Sequence, residues 1–153
     1  MDVERLRYRV PGWGVGELWL DGGVVIDHEA PIAQPGDDDG SKHPLGVRVR
    51  AYFAGERDAF ADVQLDLDGC TPFQRAVVDA LRAVPYGETV TYGELAALAG
   101  RPGAQRAAGT VCARNRFALF VPCHRVVGAA SLGSYGSLGV GYKRRLLELE
   151  GAL

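Results

Sequence analysis

The stretch Phe120–Ala129, F-V-P-C-H-R-V-V-G-A, constrains this chain more than any other. Ala118, Leu119, Phe120 and Val121 lead to its cysteine and Val126 and Val127 leave it, so both flanks are apolar. That pattern predicts a buried strand interrupted at a polar point. Pro122 has no amide hydrogen to give to a ladder, so the strand must end or bend where Cys123 stands. A thiol there, beside the imidazole of His124 and the guanidinium of Arg125, has the electropositive setting that lowers a cysteine pKa. Any single cysteine is more often a packed core residue. The Pro, His and Arg around this one favour a reactive thiol.

The rest of the composition narrows the class. A chain of 153 residues suits one domain, or one domain with a small added layer, and 47% hydrophobic content supports a real core. No apolar run reaches membrane-spanning length, and the start M-D-V-E-R-L-R lacks signal-peptide order. An intracellular, cytoplasmic protein without a membrane partner is expected. Cys70, Cys112 and Cys123 form no spaced pair, and His28, His43 and His124 are scattered, so neither a disulfide framework nor a metal site is expected. Residues 1–69 carry 7 basic against 14 acidic side chains, whereas residues 70–153 carry 10 against 5. A basic half with an acidic companion fits nucleic-acid binding, although ordinary surface charge can look the same.

The first half reads as a small sheet. Val3–Val10 and Glu17–Ile26 have strand patterns, with turns at Pro11–Gly14 and Asp21-Gly22-Gly23. Residues 33–44 are polar, acidic and rich in Gly and Pro, which predicts a mobile surface loop. Leu45, Val49, Tyr52 and Phe53 keep helical spacing, and Val63, Leu65 and Leu67 alternate as in one more strand. No chemistry is visible here.

The second half reads as helices. Thr71-Pro72-Phe73-Gln74 is a capping box with proline at the first helical position, followed by an apolar face at Phe73, Val77, Ala80, Leu81 and Val84. Thr91-Tyr92-Gly93-Glu94 opens another helix, Gly100–Gly103 breaks it, and Ala104–Ala113 forms the next. Two short helices around a glycine-containing break make a helix-turn-helix or a plain helical hairpin. The second helix, A-Q-R-A-A-G-T-V-C-A, offers small side chains around the single Arg106, too few polar groups to read base edges. It suits close, sequence-blind approach to a narrow groove. A glycine-rich loop, 128–141, and a final helix, Tyr142–Glu150, close the chain.

The run Pro122-Cys123-His124-Arg125-Val126 closely resembles the active-site signature of the O6-alkylguanine-DNA alkyltransferases. The resemblance extends through Val84–Ala96, Ala104–Gly109, Asn115, Tyr135 and Leu146–Gly151, and it covers the last 85 residues or so far better than the first 68. It implies an α/β (α+β) fold: a small N-terminal antiparallel-sheet domain, residues 1–68, then a mostly helical C-terminal domain with a helix-turn-helix, residues 69–153. It also implies DNA repair by stoichiometric transfer of the alkyl group of O6-alkylguanine to Cys123, with O4-alkylthymine as a second candidate substrate.

The resemblance further assigns roles. Cys123 is the acceptor, activated by a Cys123–water–His124–Glu150 relay; Tyr92 donates to the leaving guanine, and Asn115 braces the active-site turn. Arg106, Ala104, Ala107, Gly109 and Tyr92 meet double-stranded DNA in the minor groove, and Arg106 enters the base stack. Tyr135, Gly136, Ser137 and Val121 line the substrate pocket. Apart from the resemblance, Arg125 reads as a tie between the active-site strand and its surroundings in preference to a phosphate contact. A monomer with no cofactor and no metal is implied. Outside the resemblance, Glu150 reads simply as an exposed helix-end carboxylate. The chain departs from the family pattern at Arg116 and Ala118, where prolines are usual, and at Gly136-Ser137-Leu138 after Tyr135. Leu138 is expected to narrow the pocket, so that methyl transfers far better than benzyl. The competing readings are a non-catalytic alkylated-DNA-recognition protein of the same lineage, a sequence-specific regulator and a Cys–His hydrolase.

Overall fold

The computed structural model describes residues 2–36, 40 and 42–153. The fold is α/β, a three-stranded antiparallel sheet with five helices. It divides into two compact units: one holds residues up to Asp66 together with Arg116–Ala118, the other holds Leu67–Asn115 and Leu119–Leu153.

In the first unit β1 (Val3–Val10), β2 (Gly14–Asp21) and β3 (Val24–Ile32) lie in sequence order. The β2–β3 turn needs two consecutive positive φ values, and Gly22 and Gly23 supply them at +56° and +85°. Tyr8 pairs with Gly16, where a Cβ would fall 2.4 Å from the tyrosine ring, so the ring occupies space that only glycine leaves open. Helix α1 (Pro44–Phe53) is capped by the His43 imidazole, which accepts the Leu45 amide, and it buries Val49, Tyr52 and Phe53.

One expectation changes in this unit, and another falls partly outside the described residues. The alternating run 61–67 does not form a strand. The chain turns at Phe60–Val63 and again at Leu67–Cys70, so only Leu65 bridges, in parallel, to Val25. Residues 37–39 and 41 of the expected mobile loop lie outside the described residues. Around them the loop is tied to the sheet: Gln34 donates to the Val15 carbonyl, Arg9 to that of Gly36, and the Gly40 amide to that of Arg7.

In the second unit α2 (Pro72–Arg82) starts in the Thr71/Gln74 capping box and buries Val77, Val78 and Leu81, while Phe73 stays half-buried beneath the Arg101 guanidinium. Strand β4 (Val90–Thr91) leads into α3 (Tyr92–Leu98), capped by Thr91 and Glu94. Gly100 and Gly103, at φ +87° and +89°, turn the chain into α4 (Gln105–Ala113), which buries only Ala108. The last helix, α5 (Gly139–Leu149), buries Lys143, Leu146 and Leu147.

The strand expected before Cys123 is absent. Residues 118–121 turn, with Leu119, Phe120 and Val121 buried and Leu119 at φ +71°, and Cys123–Arg125 form a 3₁₀ turn. Pairing begins only afterwards, where β5 (Val126–Val127) runs parallel to β4. Pro122 breaks the ladder as its chemistry requires, and the Cys123 amide turns back to the Val121 carbonyl at 2.8 Å. The apolar run is buried without being a strand, because an apolar run reports burial and not backbone shape.

Candidate active site

The 3₁₀ turn after Pro122 puts three consecutive buried side chains, Cys123, His124 and Arg125, in different directions. The Cys123 sulfur accepts a hydrogen bond from Asn115 Nδ2 at 3.2 Å, and the same amide donates to the Val121 carbonyl at 2.9 Å. The Tyr135 hydroxyl is a second hydrogen-bonding partner of the sulfur.

His124 turns to the other side. Its Nε2 lies 2.7 Å from Glu150 Oε2, so Nε2 carries the proton and Nδ1 is the acceptor nitrogen. His124 Nδ1 is fully buried and has no hydrogen-bond partner. Arg125 explains why a carboxylate is tolerated there. Its Nε and Nη2 grip both Glu150 oxygens at 2.9 Å and its Nη1 donates to the Val84 carbonyl at 2.8 Å, while the Gly87 amide also reaches Glu150. Each lone charge would be costly in this interior; the bidentate pair makes them tolerable together.

This arrangement corrects the expected electrostatics of the thiol. Burial pushes the Cys123 pKa up, against the opposing pull of Asn115, Lys143 and Tyr135. Arg125, the cation adjacent in sequence, commits its charge to Glu150 instead. The resting group is therefore a thiol, and it needs a base. Burial also lowers the His124 pKa, outweighing Glu150, so the imidazole rests neutral and able to accept a proton.

Lys143 is a candidate site residue that sequence reasoning missed. It is fully buried on α5, donates to the Ser134 carbonyl at 3.1 Å and lies 5.8 Å from the centre of the Tyr92 ring. Its charge acts on both Cys112 and Cys123, and burial lowers its own pKa. A signal existed: Lys143 stands three and four residues before the buried Leu146 and Leu147, on the apolar stripe of the helix.

Tyr92 stands at the start of α3 with its ring against Gly109 of α4 and Gly133 of the glycine-rich loop; a Cβ at Gly133 would come within 3.3 Å of the ring. Burial raises its pKa, so the hydroxyl keeps its proton. Tyr135 is half-buried, with its ring stacked near Tyr142, and Gly136 and Ser137 are exposed on the following 3₁₀ turn. Val121 is buried, and its carbonyl is used by Asn115 and by the Cys123 amide. On α4, Arg106 and Ala107 are exposed, Ala104 precedes the helix half-buried, and Gly109 faces Tyr92. Among the described residues, no group of three or more His, Cys, Asp or Glu side chains converges as metal ligands.

The family model for the 6-O-methylguanine DNA methyltransferase, DNA binding domain, matches residues 72–152. This chain belongs to that family. A methylated-DNA–protein-cysteine methyltransferase of Mycobacterium bovis is 54% identical over 155 residues, covering 95% of this chain and 92% of that protein. The crystal structure of the Mycobacterium tuberculosis O6-methylguanine methyltransferase superposes with a TM-score of 0.81 at 38% identity, covering 99% of this chain and 94% of its own. A Mycobacterium tuberculosis OGT solved in complex with DNA gives a TM-score of 0.77 at 38% identity, over 95% of this chain and 92% of its own. The family match spans Tyr92, Arg106, Asn115, Cys123–Arg125, Tyr135, Lys143 and Glu150, the residues whose geometry is described above.

Proposed function

We propose that this protein repairs DNA by direct, stoichiometric transfer of the alkyl group of O6-alkylguanine to the sulfur of Cys123, with O4-alkylthymine as a second substrate. The carrying observation is a thiol held by Asn115 next in sequence to a buried imidazole that Glu150 orients and whose other nitrogen is unpartnered. The names of the relatives, methyl transfer to a protein cysteine, and a solved relative bound to DNA support the same chemistry.

His124 Nδ1 takes the Cys123 proton through a bridging water, and Glu150 stabilises the imidazolium that results. The thiolate attacks the alkyl carbon in line. The C–S bond forms as the C–O6 bond breaks, and the electron pair leaves on guanine, where the Tyr92 hydroxyl donates a hydrogen bond to a ring nitrogen and solvent supplies the proton that neutralises the base. Asn115, Tyr135 and Lys143 stabilise the developing thiolate. The product thioether resists hydrolysis, so each molecule acts once.

A base inside a duplex cannot be reached, so the target nucleotide is flipped out into the pocket of Tyr135, Gly136, Ser137 and Val121. Helix α4 lies in the minor groove, where Ala104, Ala107 and Gly109 permit close approach and Arg106 fills the stack. The protein acts in the cytoplasm as a monomer, with residues 69–153 carrying DNA binding and transfer and residues 1–68 as their companion.

The test is peptide mass spectrometry after incubation with a duplex containing one O6-methylguanine. One methyl on Cys123, saturating at one per protein and absent from Cys123→Ser, is expected. DNA binding without methylation would replace this reading with lesion recognition alone.

A further inference from the structure

Outside the site, a second buried imidazole has no part in the chemistry above. His28 lies on β3 and is 3% exposed, and both of its ring nitrogens are engaged. Its backbone amide donates to the Arg116 carbonyl at 2.8 Å, and its Nδ1 lies 2.6 Å from the Ala118 carbonyl. A parallel bridge to Phe117 lies between these two bonds. One residue thus grips both ends of a three-residue segment, the same three residues that belong to the first unit.

The covalent chain gives this grip its meaning. Asn115, which holds the Cys123 sulfur, directly precedes the segment. Leu119 directly follows it, at a φ of +71° that L-residues avoid, and Cys123 comes four residues later. A left-handed leucine persists only when its surroundings over-determine it, and the carbonyl of the preceding peptide is the one that His28 holds.

The ring is prepared for this role. A carbonyl can only accept, so Nδ1 carries the proton and Nε2 accepts from the Tyr8 hydroxyl 2.6 Å away. Tyr8 is itself fully buried with its ring over Gly16, which leaves the hydroxyl no freedom to retreat. We propose that His28 is a positioning residue for alkyl transfer: with Tyr8 behind it, it clamps Arg116–Ala118 and thereby fixes the left-handed Leu119 and the alignment of Asn115 with Cys123.

The inference rests on the transfer reading, so the experiment separates the two. Asparagine places an amide near the Nδ1 position and glutamine near Nε2. Single-turnover transfer from O6-methylguanine duplex is measured at saturating DNA for wild type, His28→Asn and His28→Gln, alongside DNA affinity and melting temperature. His28→Gln should slow transfer about 10- to 100-fold with DNA affinity within about twofold, since small misplacements of reacting groups have that effect. His28→Asn should recover to within about threefold of wild type. Equal rates in the two variants, or a loss confined to DNA affinity, would overturn the clamp.

Nitrogen-15 NMR of wild type tests it even if both variants fail to fold. A proton on Nδ1 coupled to the Ala118 carbonyl is expected, and an Nε2–H tautomer would refute the proposal. Wild type that transfers nothing would overturn the transfer reading, while the tautomer would still decide whether the clamp exists.

Discussion

His28 and His124 are both buried imidazoles held neutral, and the two units of the chain treat them in opposite ways. In the first unit both ring nitrogens of His28 are bonded, to Tyr8 and to the Ala118 carbonyl. In the second, His124 donates to Glu150 and keeps Nδ1 unpartnered within the interior. Leaving a buried acceptor unsatisfied costs on the order of 1–3 kcal/mol, a cost that the bridging water to Cys123 offsets. A fold with no use for that nitrogen would be more stable with an apolar side chain there. Burial and neutrality therefore do not distinguish a structural histidine from a chemical one. Full satisfaction does.

The largest effect should come from His124 itself. His124→Gln should slow transfer by about 10²–10⁴-fold, the usual contribution of a positioned base. DNA affinity should stay unchanged, as measured by single-turnover kinetics and a binding titration. A small loss of rate would move the proton to another acceptor and collapse the contrast with His28.

Next in size is the support behind the ring. Glu150→Ala leaves the Arg125 guanidinium unpaired, 5% exposed, and should cost about 3–5 kcal/mol in denaturant unfolding. Reversing the loss by adding Arg125→Met would show that the uncompensated charge, and not a missing contact, is responsible. Behind His28 the second partner is a tyrosine hydroxyl.

How far these differences could be read in the sequence depends on how local their causes are. The caps at Thr71 and Thr91 and the Gly22-Gly23 turn rest on neighbours three residues away or fewer, and they stand where the residues place them. Val63, Leu65 and Leu67 alternate equally well, but a strand needs a partner elsewhere in the chain, and only Leu65 finds one. The apolar run before Cys123 disclosed burial but not its turns, because the Leu119 conformation depends on distant contacts. Glu150 looked like an exposed helix end until Arg125 and His124, about 25 residues earlier, met it. Adjacency in sequence also misplaced the cation: Arg125 pairs away from the thiol, and Lys143, twenty residues on, faces it.

Acid should expose the cost of neutrality. Burial lowers the His28 pKa from 6.5 to about 4. The unfolded chain therefore binds a proton that the folded chain refuses, and stability falls as the pH drops from about 6.5 towards 4. Between pH 7.5 and pH 5 this amounts to about 2 kcal/mol for His28. The Tyr8 hydroxyl on β1 meets the ring, Asp27 and Glu29 flank His28 in sequence on β3, and the Arg116 carbonyl accepts from its backbone amide. His124 loses stability in the same direction. His28→Gln should therefore flatten, but not abolish, the acid slope of the unfolding free energy. An unchanged slope would mean that His28 is already solvated before the chain unfolds.

The smallest effect concerns what stands near each ring. Lys143 opposes protonation of His124 and favours the thiolate of Cys123, whereas the His28 shift comes from burial, opposed by the Ala118 carbonyl. Lys143→Met keeps the bulk and removes the charge, along with the bond to the Ser134 carbonyl. The thiol should then ionise at higher pH, so alkylation of Cys123 by iodoacetamide at neutral pH should slow about tenfold. The pH profile should shift to the alkaline side while its plateau stays the same. Slower reaction without a shift would instead mean that Lys143 acts by holding the Ser134 loop. A shifted profile would make the second unit's histidine part of a charge arrangement with a buried cation at one end and a carboxylate at the other. His28 contributes through its hydrogen bonds to Tyr8 and to the Ala118 carbonyl.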